Sequence, residues 1–189
     1  MADLAMRFAY ADPPYLGMGA RMYGHPEWDS VETHRALIDS LCANYPDGWA
    51  LSATSGSLQT LLPMCPSDVR VMAWCKPWAK YLPGLSPAFA WEPVILRGGR
   101  KIDRQTETAK DWHVGFIPLR RDKPENFVPG MKPRSFCRWL FQCLNAHSDD
   151  TLDDLFPGSG AVGAAWAEWT ASEYSRLPTL PLFAEGANA

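Results

Sequence analysis

A short apolar run, Phe8-Ala9-Tyr10-Ala11, ends in Asp12-Pro13-Pro14-Tyr15 only a dozen residues into the chain. That junction limits the fold more than any other feature. An apolar run with no polar alternation reads as a strand buried on both faces, hence inside a sheet. Two prolines remove two backbone donors and fix two φ angles, so the chain leaves the strand stiffly. A stiff loop holds the Asp12 carboxylate and the Pro13 carbonyl as acceptors facing one point. An exocyclic amino group has two N–H bonds and needs two such acceptors. Gripping both takes the nitrogen lone pair out of conjugation, which is catalysis by orientation and electrostatics. Tyr15 would offer a flat face for a ring to stack on. An ordinary proline turn after a strand fits the same residues.

A second junction lies near the other end. Leu152 to Leu155 reads as a strand and runs into Phe156-Pro157-Gly158-Ser159-Gly160, which opens a helix. Gly158 and Gly160 remove Cβ atoms where a ligand could lie against backbone near a helix N-terminus. Asp154 sits at the strand's end, where ligands bind in open α/β sheets. A glycine-rich turn with no ligand is the plainer reading.

Between the junctions the pattern alternates. Strands are predicted at Met6 to Ala11, Trp49 to Ala53, Val69 to Trp74, Glu92 to Arg97 and Thr151 to Leu155. Helices are predicted at Ser30 to Asn44, with Ser30 as cap, at Ser55 to Leu62, stopped by Pro63, at Pro133 to Leu144, and from Val162 to about Ser172. Residues 16–29 read as a mobile loop, in which Tyr23 and Trp28 either cover a substrate or pack. Strands alternating with helices imply an α/β fold, with a mostly parallel sheet covered on both faces. Trp74, Trp78 and Trp91 either stack bases or fill the seam between sheet and helices.

At 189 residues the chain suits one domain, residues 1–189. No run approaches a membrane span, and Met1 to Met6 has no basic region leading into an apolar stretch, so no membrane association and no signal peptide are expected. Five cysteines without a paired spacing read as reduced thiols. Four scattered histidines show no ligand spacing, so no metal is expected. Net charge is −3, which argues against nucleic-acid binding by the whole surface. Residues 97–138, however, hold eleven Lys/Arg against five acids, a local +6 that leaves −9 elsewhere. A small basic insert at about 98–130 would suit a nucleic-acid-facing loop. Arg120, Arg121 and Lys123 are its candidate contacts, with Lys76 after the third strand. Solvated loop charges, or a helix C-terminus near Lys76, explain the same residues.

In this order, the motifs resemble those of the amino-methyltransferases that use S-adenosylmethionine to methylate adenine N6 or cytosine N4. The match is to the permuted members, with the catalytic loop first. Asp12-Pro13-Pro14-Tyr15 is similar to the family's catalytic (DPPY) motif, in the form more typical of adenine-N6 enzymes. Phe156-Pro157-Gly158-Ser159-Gly160, after Asp154, is similar to its cofactor motif. Lys132-Pro133 resembles the segment preceding the cofactor strand. Trp74-Cys75-Lys76-Pro77 and Trp91-Glu92-Pro93-Val94-Ile95-Leu96 resemble the middle of the family. The resemblance spans roughly Phe8 to Trp169. It departs in two places. Pro157 replaces a small residue, and no strand ending in a ribose-binding acid follows the last helix, where Glu168 and Glu173 are the nearby acids.

The resemblance implies a Rossmann-like methyltransferase fold in permuted order and a DNA adenine-N6 methyltransferase. Asp12, Pro13, Pro14 and Tyr15 would be catalytic. Asp154, Phe156, Gly158, Ser159, Gly160, Lys132 and Pro133 would bind S-adenosylmethionine. A flipped base would enter against Tyr15. DNA is the expected partner, with RNA the alternative, alongside a homodimer or second subunit. The cytoplasm of a bacterial or phage-infected cell is the expected location. The alternatives are cytosine-N4 or RNA adenine methylation, or a catalytically weak nucleic-acid-binding partner subunit.

Overall fold

The computed structural model describes residues 4–77, 83, 84, 86–102, 108–115 and 131–172. Trp78, Arg120, Arg121, Lys123, most of the basic insert and the stretch from Glu173 onward lie outside the described residues. Six strands form one sheet in the order β5-β3-β4-β2-β1-β6. They are β1 (Arg7–Ala11), β2 (Gly48–Ser52), β3 (Arg70–Cys75), β4 (Trp91–Gly98), β5 (Trp112–Val114) and β6 (Thr151–Asp154). β1 pairs in parallel with both β2 and β6, and β3 with β5. β4 runs antiparallel between β2 and β3, so five of the six strands share one direction. No described helix separates β3 from β4, and consecutive strands without a crossover helix pair antiparallel.

Alternate residues of each strand point to opposite faces, and each face has its own apolar cluster. One contains Phe8, Tyr10, Ala50 and Val94. It packs on Phe136 and Leu140 of α3 (Arg134–Cys143) and on Trp169 of α4 (Ala161–Ala171). The other contains Ala9, Trp49, Leu51 and Ile95. It packs on Ile38 and Leu41 of α1 (Val31–Asn44). Ser30 caps α1, its hydroxyl accepting from the amides of Glu32 (3.1 Å) and Thr33 (3.4 Å). Each fully buried Leu, Ile or Phe contributes about 1.5–3 kcal/mol, so these two faces supply most of the fold's stabilisation.

Four local expectations change. Pro63 does not stop the helix at Leu62. A 3-10 turn (Ser55–Ser57) leads into the short α2 (Leu58–Leu61), and a second 3-10 turn (Leu62–Met64) passes through Pro63. Proline is tolerated there because the first residues of a helical turn need no N–H. Pro133 lies outside α3, as its extended N-cap with ψ 152°. β5 arises inside the segment that shows no periodicity, because a three-residue edge strand is too short to produce any. Finally, the stretch expected to be a mobile loop contains a wide helical turn (Gly19–Tyr23) and a 3-10 turn (Pro26–Asp29). Asp29 ties them together, accepting from the amides of Gly19 (2.7 Å) and Ala20 (3.0 Å).

Candidate active site

Open sheets place their ligands beyond the carboxyl ends of the parallel strands. Here β1 delivers Asp12 to that edge, β6 delivers Asp154 and Leu155, and β3 delivers Lys76. The antiparallel β4 enters where the others leave. Its second residue, Glu92, therefore pairs with Trp74 at the same edge. Reversing one strand thus adds a carboxylate to a site otherwise built from strand C-termini.

These side chains meet in a cross-linked cluster. Lys132, 6% exposed, sets its ammonium 2.9 Å from Asp12 Oδ1 and 3.8 Å from Glu92 Oε2. The Tyr15 hydroxyl is a donor to Asp12 Oδ1 at 3.1 Å and to Glu92 Oε2 at 3.3 Å, and it accepts from Lys132 at 3.4 Å. Lys76 donates to Glu92 Oε1 and lies 4.2 Å from the Trp74 ring centroid. Two carboxylates and two ammoniums make the cluster formally neutral. Charges removed from water persist when each has a partner of opposite sign.

The environment shows in the titration behaviour. Burial alone would lower the Lys132 pKa, but the charges of Asp12 and Glu92 outweigh it and hold it raised. For Lys76, burial prevails over Glu92 and the pKa falls. The two lysines therefore differ because Lys132 faces two acids and Lys76 chiefly one. Burial, reinforced by Asp12, pushes the Tyr15 phenol well above its ordinary value, so it stays a proton donor to the carboxylates.

Beside the cluster lies a cleft of about 450 Å³. Asp12, Pro14 and Lys132 line it together with Phe156, Gly158 and Ser159. Two motifs about 140 residues apart in the chain thus share one cavity. Gly158 (φ +48°) and Gly160 (φ +73°) are left-handed. A Cβ on Gly160 would meet nothing within 4 Å, and one on Gly158 only the Phe156 carbonyl at 3.8 Å. Among the described residues, no neighbour requires these glycines. The backbone conformation does, and the space beside it is free. Asp154 is the unusual member. Both its carboxylate oxygens are buried without a hydrogen-bond partner among the described residues. Burial raises its pKa; the Phe156 amide tempers the shift without reaching hydrogen-bonding geometry.

Several expected residues take other positions. Tyr15 is not among the residues lining the cleft, and its hydroxyl is engaged with the two acids. Lys76, expected at a nucleic-acid phosphate, is directed to Glu92 with its side chain 19% exposed. Trp74 is 3% exposed and packs on Phe136 at 4.8 Å, so it fills the seam. Glu168 on α4 pairs with Arg134 of α3 at 2.9 Å, not with the cleft. Glu92 carries more of the site than its sequence suggested. Its only signal is an acid opening an otherwise apolar strand.

No family model matches this chain, and no curated protein matches it. Among solved structures it is similar to the crystal structure of the M1.HpyAVI-SAM complex. The TM-score is 0.54 at 11% sequence identity, covering 88% of this chain and 79% of that one. The chain shares the fold of that structure, a Rossmann-like one: a mixed, mostly parallel six-stranded sheet with helices on both faces.

Proposed function

We propose that this chain is an S-adenosylmethionine-dependent DNA adenine-N6 methyltransferase of the permuted type. One observation carries the reading. Asp12, with one oxygen held by Lys132 and Tyr15, lines the same cleft as the left-handed Gly158 turn. The similar structure is a complex with SAM, and the left-handed glycines and unpartnered Asp154 suit such a ligand.

The residues divide the work as follows. Asp154 offers two acceptor oxygens to a cationic amino group, and Phe156, Gly158, Ser159 and Gly160 offer backbone and apolar walls. When bound, S-adenosylmethionine supplies an electrophilic methyl group. Lys132 and Tyr15 fix Asp12 Oδ1, leaving Oδ2 as the acceptor for one N–H of the amino group. The Pro13 carbonyl accepts the other. Such preorganised acceptors stabilise the positive charge that grows on nitrogen during transfer. Lys132 has a second role, because its ammonium beside Asp12 Oδ1 gives that carboxylate a partner of opposite sign away from bulk water. Pro133, the extended N-cap of α3, follows Lys132 and restricts the backbone there.

DNA as substrate is supported by the +6 segment at residues 97–138. Neutralising Arg120, Arg121 and Lys123 should lower the slope of log affinity against log salt by about 0.9 per lost phosphate contact. An unchanged slope in the triple variant would move DNA contact elsewhere on the protein.

The deciding experiment is mass spectrometry of nucleosides from DNA of cells expressing the chain. N6-methyladenine above the vector control is expected. N4-methylcytosine, or methyladenine confined to RNA, would replace the substrate assigned here. A second reading, a weak partner subunit that binds nucleic acid, is favoured by the engagement of Glu168 with Arg134, which leaves no ribose-binding acid on α4. Calorimetry separates the two, because the partner reading requires weak or absent S-adenosylmethionine binding.

A further inference from the structure

The sequence leaves Trp91 two roles, stacking a base or filling the seam of the fold, and Trp74 fills the seam. Trp91 is 37% exposed, and Trp112, on the edge strand β5, is 43% exposed. Laterally paired residues of a sheet point to the same face. Cys75 of β3 stands opposite Trp91 of β4 and opposite Val114 of β5, and Ala73 stands opposite Trp112. The two tryptophans therefore share a face, on strands that flank β3 and lie about 10 Å apart across it. We infer that this face is a stacking platform for bases of single-stranded DNA that flank the acceptor base. The inference rests on the DNA substrate proposed above and adds a second place at which that substrate is held.

Four features support the assignment. First, the face is apolar and unused. Neither apolar cluster of the described residues includes Trp91, Trp112 or Val114, and contiguous exposed apolar surface of this kind marks an interaction site. Second, its frame is rigid. The Lys76 amide donates to the Ala90 carbonyl at 2.7 Å just before Trp91, and the Ala73 amide donates to the Asp111 carbonyl at 2.9 Å just before Trp112. From behind, the His113 ring stacks on Trp139 of α3 at 5.6 Å and 19°. Between the two indoles stand only the small side chains of Ala73 and Cys75, which leave room for flat rings. Third, the charge suits a polyanion. The Lys110 ammonium lies 5.3 Å from the Trp112 ring centroid, and β5 falls within the +6 segment at residues 97–138. Aromatic faces beside cations hold single strands with little sequence preference. Fourth, the platform adjoins the site. Trp91 directly precedes Glu92 of the acidic cluster, and successive residues of a strand point to opposite faces. A strand that crosses the carboxyl edge of the sheet thus meets Asp12 and its partners on one side and the tryptophans on the other.

The test uses the intact chain and an oligo(dT) single strand, with binding followed by anisotropy. Thymine has no exocyclic amino group, so oligo(dT) reports the platform and not the acceptor site. Trp91→Ala and Trp112→Ala should each weaken binding by roughly 5- to 150-fold, and the Phe variants, which keep a ring, should stay within about threefold of the parent. Lys110→Gln should lower the slope of log affinity against log salt by about 0.7, whereas Trp112→Ala should leave that slope unchanged. Should an Ala variant fail to fold, the parent itself decides: photo-cross-linking to oligo(dT) carrying 5-iododeoxyuridine, read by mass spectrometry, should mark Trp91 or Trp112. Parental affinity in both Ala variants would overturn the inference, as would cross-links confined to other residues. Sedimentation covers the rival occupant. A parent that self-associates through this face, with Trp112→Ala monomeric and its oligo(dT) affinity intact, would give the face to a second copy and overturn the inference. A parent that methylates DNA but does not bind oligo(dT) sinks the platform alone. A parent that binds oligo(dT) through the tryptophans but methylates no DNA sinks the enzyme reading alone.

Discussion

The two walls of the cleft are built on opposite plans. On the Asp12 side, side chains cross-link one another: Asp12, Tyr15, Glu92, Lys76 and Lys132 come from four segments and satisfy each other's charges. On the Gly158 side, backbone holds backbone. The Gly160 amide donates to the Pro157 carbonyl at 2.7 Å, α4 starts without a side-chain cap, and Asp154 has no partner among the described residues. The first wall is complete without a ligand and the second is not. A group that must stay in one place during a reaction gains from mutual constraint, at the cost of buried charge. A surface that must receive a large ligand gains from missing Cβ atoms, which let the ligand approach the backbone closely.

The contrast fails most sharply if the first wall turns out to be dispensable. Asp12→Ala should reduce single-turnover methyl transfer by at least about 100-fold, in the range seen for removing one preorganised polar group. Its S-adenosylmethionine Kd should remain within threefold, because Asp154 and the glycines are untouched. Near-parental turnover would remove the proposed mechanism.

Lys132→Met tests whether the cross-linking also holds the fold. It leaves two largely buried carboxylates facing each other, which typically costs about 3 kcal/mol or more. Urea unfolding should show a lower midpoint. Adding Asp12→Asn to that background should recover part of the loss, since the carboxylate left without an ammonium is gone while Glu92 keeps Lys76. Additive losses in the double variant would mean that the cluster is not coupled.

Gly160→Val reverses the emphasis. A branched residue at φ +73° costs about 1–3 kcal/mol in backbone strain, which calorimetric unfolding would register. Its side chain enters free space beside the cleft, so S-adenosylmethionine affinity should fall by more than about tenfold, beyond what instability explains. Parental affinity at a temperature where the variant is folded would show that the ligand does not approach this turn.

The smallest effect is expected at Asp154. Burial raises its folded pKa, so the native state holds this proton more tightly than the unfolded chain does. Ionised Asp154 is therefore a liability in the ligand-free protein. The contribution of Asp154 to stability, read as parent minus Asp154→Asn, should decline as pH rises through the unfolded carboxylate range near about 4 and level off above the folded pKa. Asp154→Asn should match the parent near pH 4 and exceed it modestly in Tm at pH 7, while binding S-adenosylmethionine less well. A variant less stable than the parent at pH 7 would mean that the carboxylate has a protein partner.

The strand-and-loop skeleton was readable because buried central strands leave continuous apolar runs, as at Phe8 to Ala11, and because Ser30 marks a helix start. Both ends of the cleft were readable for the same reason: proline and glycine impose backbone geometry wherever they stand. The direction of β4 was not readable, since composition does not encode which way a strand runs. Nor were the partners of Tyr15 and Lys76. Tyr15 meets Glu92 across 77 residues of sequence, and only the sheet order brings them together. Tyr23 was visible as a residue that could cover a substrate.

The pairing of β1 with β6 bears on how the protein matures. Contacts such as the Met6 amide to Asp150 (2.7 Å) close a loop of 144 residues. Half of the backbone groups along β1 have no sheet partner until β6 arrives, and pairings so distant in sequence form slowly because a long loop must close first. On a ribosome, Asp12 emerges 146 residues before Gly158. Throughout that interval the nascent chain carries the Asp12 loop with no opposite wall. Assembly of the site and closure of the sheet become one late event, so a partly made chain has no competent pocket with which to modify anything.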